Sequence, residues 1–192
     1  MTFTAVDLRT LGAQVAGAWR AGADRDWAAP AGTLRWSCAR TADHAVDAVL
    51  APAFFLASRR TDDYPAYGVS TPGDDAPPAL LAEALETAVR IVAAVVAEAD
   101  PGVRAVIWRW PQVEVRPPVD FPPRAGLELI LHGHDVCAGL GVPFAPPADV
   151  CDRLRHHTAG WPHWRSPGWS PLSLDGDPWA DLLAAAGRRP AA

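Results

Sequence analysis

A chain of 192 residues, 49% hydrophobic and 20% charged, is long enough to bury one sizeable core and too apolar to be disordered throughout. Its net charge of -5 is mild, and the 17 basic residues are all arginine, without the clustered basic density that nucleic-acid binding needs. No apolar run reaches about 18 residues, and the N-terminus "MTFTAVDLRT" lacks the layout of a secretory leader, so neither nucleic acid nor membrane is expected as a partner and a cytoplasmic protein is. Cys38, Cys137 and Cys151 form no C-x-x-C pair, which points to reduced thiols rather than a disulfide framework or a cysteine-ligated zinc site.

The first segment, Ala5 to Ala21, spaces Leu8, Leu11, Val15, Ala18 and Trp19 at three and four, the period of a helix that stops near Gly22. A connection containing Trp and Pro follows. Ser37 or Thr41 can then cap a second helix that runs to about Arg59, with Pro52 expected to kink it near Ala48. Residues Thr61 to Pro78 have no period and read as a long loop, in which Asp62, Asp63, Tyr64 and Tyr67 are candidates to line the mouth of a site. A third helix is expected from Pro78 to the "DPG" stop at Asp100.

The period then changes to two. "VRAVIWRW" and "VEVR", separated by Pro111 and Gln112, predict a short hairpin before a fourth helix with two prolines in its first turn and a stop between Gly139 and Pro143. A shorter fifth helix is expected from Pro147 to His157, with His156 and His157 favourably placed at its C-terminal dipole. The remainder is rich in Trp and Pro and should close with a short helix at Trp179 to Ala185. Trp161, Trp164 and Trp169 lie where no core period exists, so a surface-covering flap is expected of them ahead of a lid or an interface.

Chemistry concentrates in the fourth segment, "GLELILHGHDV". At about 100° per residue, Arg124, Glu128, His132 and Asp135 fall within an arc of roughly 80°, whereas His134 lies about 160° from His132. The two histidines therefore serve different sides of one helix. Glu128 and His132 at i and i+4 can place an oxygen and an imidazole nitrogen on one divalent ion, although the same spacing also suits a plain Glu–His hydrogen bond on a polar stripe. Two features favour the ion: the rest of the helix is apolar, and His44 on the second helix is followed one turn later by small residues that leave room. A third ligand has to come from another element, and His44 is the candidate.

"WSCARTADH", followed after a long interval by "RAGLELILHGHD" and "AGLGVP", resembles the DinB-like superfamily, and more closely the N-terminal domain of mycothiol-dependent maleylpyruvate isomerase family proteins. The resemblance spans about Leu8 to Pro147. It implies an all-α, four-helix up-and-down bundle over residues 1–147, with the hairpin between helices 3 and 4, and a short helix plus Trp/Pro-rich tail over 148–192 packed on it. It also implies a divalent metal, zinc or a similar ion, held by His44, Glu128 and His132. Those isomerases carry a further C-terminal domain, whereas about forty-five residues follow Pro147 here, so the Trp-rich tail is expected to replace part of that wall or the substrate to differ.

Two imidazoles and one carboxylate leave a tetrahedral ion a fourth position, as in catalytic rather than structural zinc sites. A low-molecular-weight thiol such as mycothiol in that position gives a thiol S-transferase or isomerase; water in the same position gives a hydrolase or cyclase. A metal-binding protein without catalysis is the reading from another class. Asp135 is a candidate for catalysis as acceptor of the non-metal N–H of His132, with Asp47 in the same relation to His44 or simply solvated. Arg124 is the other candidate, neutralising Glu128 or gripping an anionic substrate. A small-molecule substrate is the expected partner, and a homodimer is left open. Neither a G-x-S-x-G nucleophile context nor a phosphate-binding glycine loop is present.

Overall fold

The computed structural model describes residues 1–66, 69–110 and 112–188. Among them the chain forms six α-helices, α1 (Ala5–Ala21), α2 (Cys38–Ser58), α3 (Pro78–Glu98), α4 (Phe121–Leu140), α5 (Ala148–Thr158) and α6 (Pro178–Ala185), and two strands, β1 (Ala105–Trp108) and β2 (Glu114–Arg116). The fold is therefore of the all-α class, with one small antiparallel sheet between α3 and α4 in which Ala105 faces Arg116 and Val106 faces Val115. Tyr67 and Pro111, assigned above to the site mouth and to the hairpin turn, lie outside the described residues.

Local chemistry sets the helix ends. Thr4 and Asp7 form a reciprocal capping box on α1, and Ser37 rather than Thr41 caps α2 by accepting from the Arg40 amide. Pro122 and Pro123 occupy the first turn of α4, where a missing N–H costs nothing, and α4 ends at Gly141 in the left-handed conformation. Pro52 sits inside α2, which continues past it to Ser58 even though the proline cannot donate to the Ala48 carbonyl.

The helices share one core. α1 packs on α3 and α4, and α2 packs on α3 and α4. Gly133, between the two histidines of α4, has a packing reason: a Cβ there would lie 2.8 Å from Val15 Cγ2 on α1. Gly139 is tighter still, since its Cβ would meet the Pro30 carbonyl oxygen at 2.3 Å. These contacts fix the rotation of α4 and so decide which of its faces meets α2.

The tail is not laid on the surface. Trp161 and Trp164 are buried within the same core as α1–α4, joined by Leu182, Leu183 and Ala185 of α6. His157 does more than complement a helix dipole: its Nε2 lies 2.8 Å from Asp120 Oδ1 and its Nδ1 accepts from the Phe3 amide at 3.2 Å, tying α5 to the start of α4 and to the N-terminus. Among the described residues no helix is long and apolar enough to cross a membrane.

Candidate metal centre

The face of α4 that turns toward α2 carries Arg124, Glu128 and His132 one turn apart, and α2 presents His44 to them. One ligand atom each from His44, Glu128 and His132 lie within 4.8 Å of one another, and all three side chains are partly buried. His132 Nε2 is 3.3 Å from Glu128 Oε2. Two ligands of a tetrahedral ion, each at about 2.0–2.1 Å, are separated by about 3.3–3.4 Å, so this pair already has the spacing a shared zinc would require. The His44 and His132 rings meet edge to face with centroids 5.1 Å apart, and Trp36, just before the α2 cap, meets His44 on its other side at 5.2 Å. The tryptophan of the "WSCARTADH" segment thus acts as a wall that holds His44.

Glu128 and His132 each have a partner behind them. Arg124 Nη1 donates to Glu128 Oε1 at 2.5 Å while its guanidinium lies 3.7 Å from the centroid of the Trp108 ring, which leaves Oε2 as the oxygen directed at His132. His132 Nδ1 lies 3.3 Å from Asp135 Oδ2, in ion-pair contact but off the axis of a hydrogen bond. Asp135 is 2% exposed and is gripped from the far side by Arg188, whose Nε and Nη2 donate to its two oxygens at 2.8 and 2.7 Å. His134, on the opposite face, is buried edge-on against Trp179 of α6 and takes no part in the cluster.

The electrostatics follow from these contacts. Burial disfavours ionised Glu128, but Arg124 and His132 outweigh it and hold the carboxyl well below its usual range. Burial likewise opposes the His132 cation, yet Asp135 and Glu128 on either side raise the ring to about 9. His44, desolvated and beside His132, is shifted the other way. One imidazole is thus drawn toward a positive charge between two carboxylates while its neighbour stays neutral with a free lone pair. A divalent cation placed among the three side chains supplies the same compensation and uses both lone pairs.

A cleft of about 990 Å³ opens in front of the cluster, with Trp36, His44, Phe55, Tyr64, Arg124 and Glu128 among its walls. Ala48 and Ala51, one and two turns past His44, keep that side low. The 61–78 loop forms the rim, with Asp63 and Tyr64 on the cleft and Asp62 turned out to pair with the exposed Arg60. Contacts that hold its described residues include Tyr64 stacked on Phe55 with centroids 4.0 Å apart, Arg109 Nη1 donating to Asp63 Oδ1 at 3.1 Å, and Asp43 accepting from Thr71 Oγ1 at 2.9 Å and from the Gly73 amide at 2.8 Å. Asp47 lines the cleft one turn from His44. The cysteines take no part, since burial pushes the thiols of Cys38, Cys137 and Cys151 up to about 11, 12 and 12.

No family model, curated protein or solved structure matches this chain. Arg188 and Trp108, which back Asp135 and Arg124, escaped the sequence pattern, since no periodicity relates residue 188 or the hairpin to α4.

Proposed function

We propose that the protein is a metal-dependent enzyme of the thiol S-transferase or isomerase type, built on a DinB-like four-helix up-and-down bundle and akin to the N-terminal domain of mycothiol-dependent maleylpyruvate isomerase family proteins. The observation that carries this reading is the convergence of His44, Glu128 and His132, of which His44 and Glu128 line a cleft large enough for a small thiol and its acceptor. Oxygen and imidazole donors suit zinc or a similar borderline ion, and three protein ligands are the number found in catalytic sites. When bound, the ion supplies a Lewis acid that lowers the pKa of a ligated thiol.

The protein's own groups then have distinct tasks. Arg124 orients Glu128 by occupying Oε1, and Asp135 orients His132 from behind, acting as a positioning residue because it does not reach the cleft. Trp36, Phe55 and Tyr64 give one side of the cleft an aromatic wall. The test is thiol-dependent consumption of an electrophile, such as an activated alkene, by zinc-loaded protein, with His132→Ala alongside. Activity that requires the thiol and is lost in the variant is expected. Equal turnover without any thiol would replace this reading with a hydrolase using water, and no turnover despite a tightly held ion would leave a binding protein.

A further inference from the structure

Adjoining the main cleft, with which it shares Tyr64, Arg109 and Glu128, lies a second cavity of about 320 Å³, lined also by Trp108, Trp110, His163 and Trp169. His163, 5% exposed, has no hydrogen-bond partner at either ring nitrogen among the described residues, although a buried polar group ordinarily has one. Its ring is held by indoles: Trp108 stacks on it at 4.9 Å and 20°, Trp164 lies at 4.4 Å and Trp169 meets it edge-on at 5.4 Å. A donor and an acceptor are thus fixed in a largely aromatic chamber with no partner among the described residues. The surrounding indoles could have been packed as well by a phenylalanine, so the imidazole at this position calls for a ligand.

We propose that this chamber is a binding subsite for a planar aromatic ring bearing a neutral hydrogen-bonding group of the phenol type. The ring is selected by the indole and phenol faces that line the cavity. The neutral group follows from charge. Burial and the nearby Arg124 keep His163 uncharged, the Arg109 and Arg124 guanidiniums are already paired with Asp63 and Glu128, and indole faces repel anions. A hydroxyl on an aromatic ring can donate to the bare nitrogen of a neutral imidazole or accept from its N–H, so either tautomer can take it at one of the two nitrogens. Because His163 and the indoles around it lie outside the set of His44, Glu128 and His132, the subsite does not require an ion.

Calorimetric titration of the zinc-free full chain with phenol tests it, with benzoate and cyclohexanol as charge and shape controls. Saturable binding of one phenol per chain is expected, with both controls at least tenfold weaker and the ring ¹⁵N resonances of His163 shifted by phenol but not by toluene. His163→Phe should weaken phenol at least tenfold, and Trp169→Leu, on the cavity wall, provides a second variant should the first fail to fold. His132→Ala should bind phenol as the wild type does, which separates this inference from the metal reading. Absence of saturable binding, benzoate equal to phenol, or unchanged affinity in folded His163→Phe would overturn it.

Discussion

The α1–α3 and α2–α4 pairs belong to one core, yet they are filled differently. Between α1 and α3, Leu8, Leu11 and Val15 are buried alongside Leu85, Val89 and Val92, and Gly12 lets Val89 approach so closely that a Cβ would sit 2.9 Å from its Cγ2. Polar contact is pushed to the edge, where Arg20 and Glu86 form a two-point ion pair at 2.8 Å. Between α2 and α4, alanines at 48 and 51 stop short of the opposing helix, and the space they leave holds two histidines, a glutamate and an arginine. The first pair spends its sequence on close packing. The second packs closely where Gly139 meets Cys38, but around His44 it gives up close packing to place polar groups where solvent is partly excluded, as a ligand site would require.

Substitutions in each pair should separate these roles. Leu85→Ala, at a fully buried position, should cost roughly 2–5 kcal/mol in urea unfolding and leave zinc affinity of the folded fraction unchanged. Asp135→Asn should do the reverse, lowering zinc affinity about 10–100-fold in a chelator competition while the helical circular dichroism is retained. If Asp135→Asn instead unfolds the chain, the Asp135–Arg188 pair is holding the tail rather than His132.

The tail gives a pH test of the same contrast. His163 titrates at about 3 in the fold against an ordinary 6.5, because burial and Arg124 oppose its cation. Between those values the unfolded chain takes up a proton that the folded chain does not, so stability is flat above pH 6.5 from this group and falls as pH drops below it, by about 1.4 kcal/mol per pH unit. Urea unfolding of wild type and His163→Phe at pH 7 and pH 5.5 should show the acid loss reduced in the variant; parallel losses would place the effect elsewhere. The smallest change is expected from Ala48→Leu, which grows into the cleft instead of into a packed interface and should alter stability by less than about 1 kcal/mol. A loss comparable to Leu85→Ala would show that the α2–α4 side is as tightly filled as its counterpart.

The helices were legible because their ends are local chemistry: the Thr4–Asp7 box, Ser37, the prolines of α4 and the glycine after Leu140 each act within one turn. Glu128, His132 and Asp135 were legible for the same reason, since i, i+4 and i+3 spacing on a helix is fixed before any tertiary contact forms. What stayed hidden was long-range. Arg188 reaches Asp135 across 53 positions, His157 reaches Phe3 across 154, and the environment of His163 joins the hairpin to the tail. In sequence those residues look like an exposed arginine, a histidine at a helix C-terminus and a histidine between two tryptophans. Only packing distinguishes them from surface polarity.

The most direct test of the central claim, that α2 and α4 together hold one divalent ion, is metal analysis of purified protein by mass spectrometry with zinc X-ray absorption on the same sample. One ion per chain is expected, with nitrogen and oxygen neighbours at about 2.0–2.1 Å and no sulfur from the protein, and with the ion lost in both His44→Ala and His132→Ala. An ion retained in both variants, or a wild-type protein that takes up none in excess zinc, would contradict it.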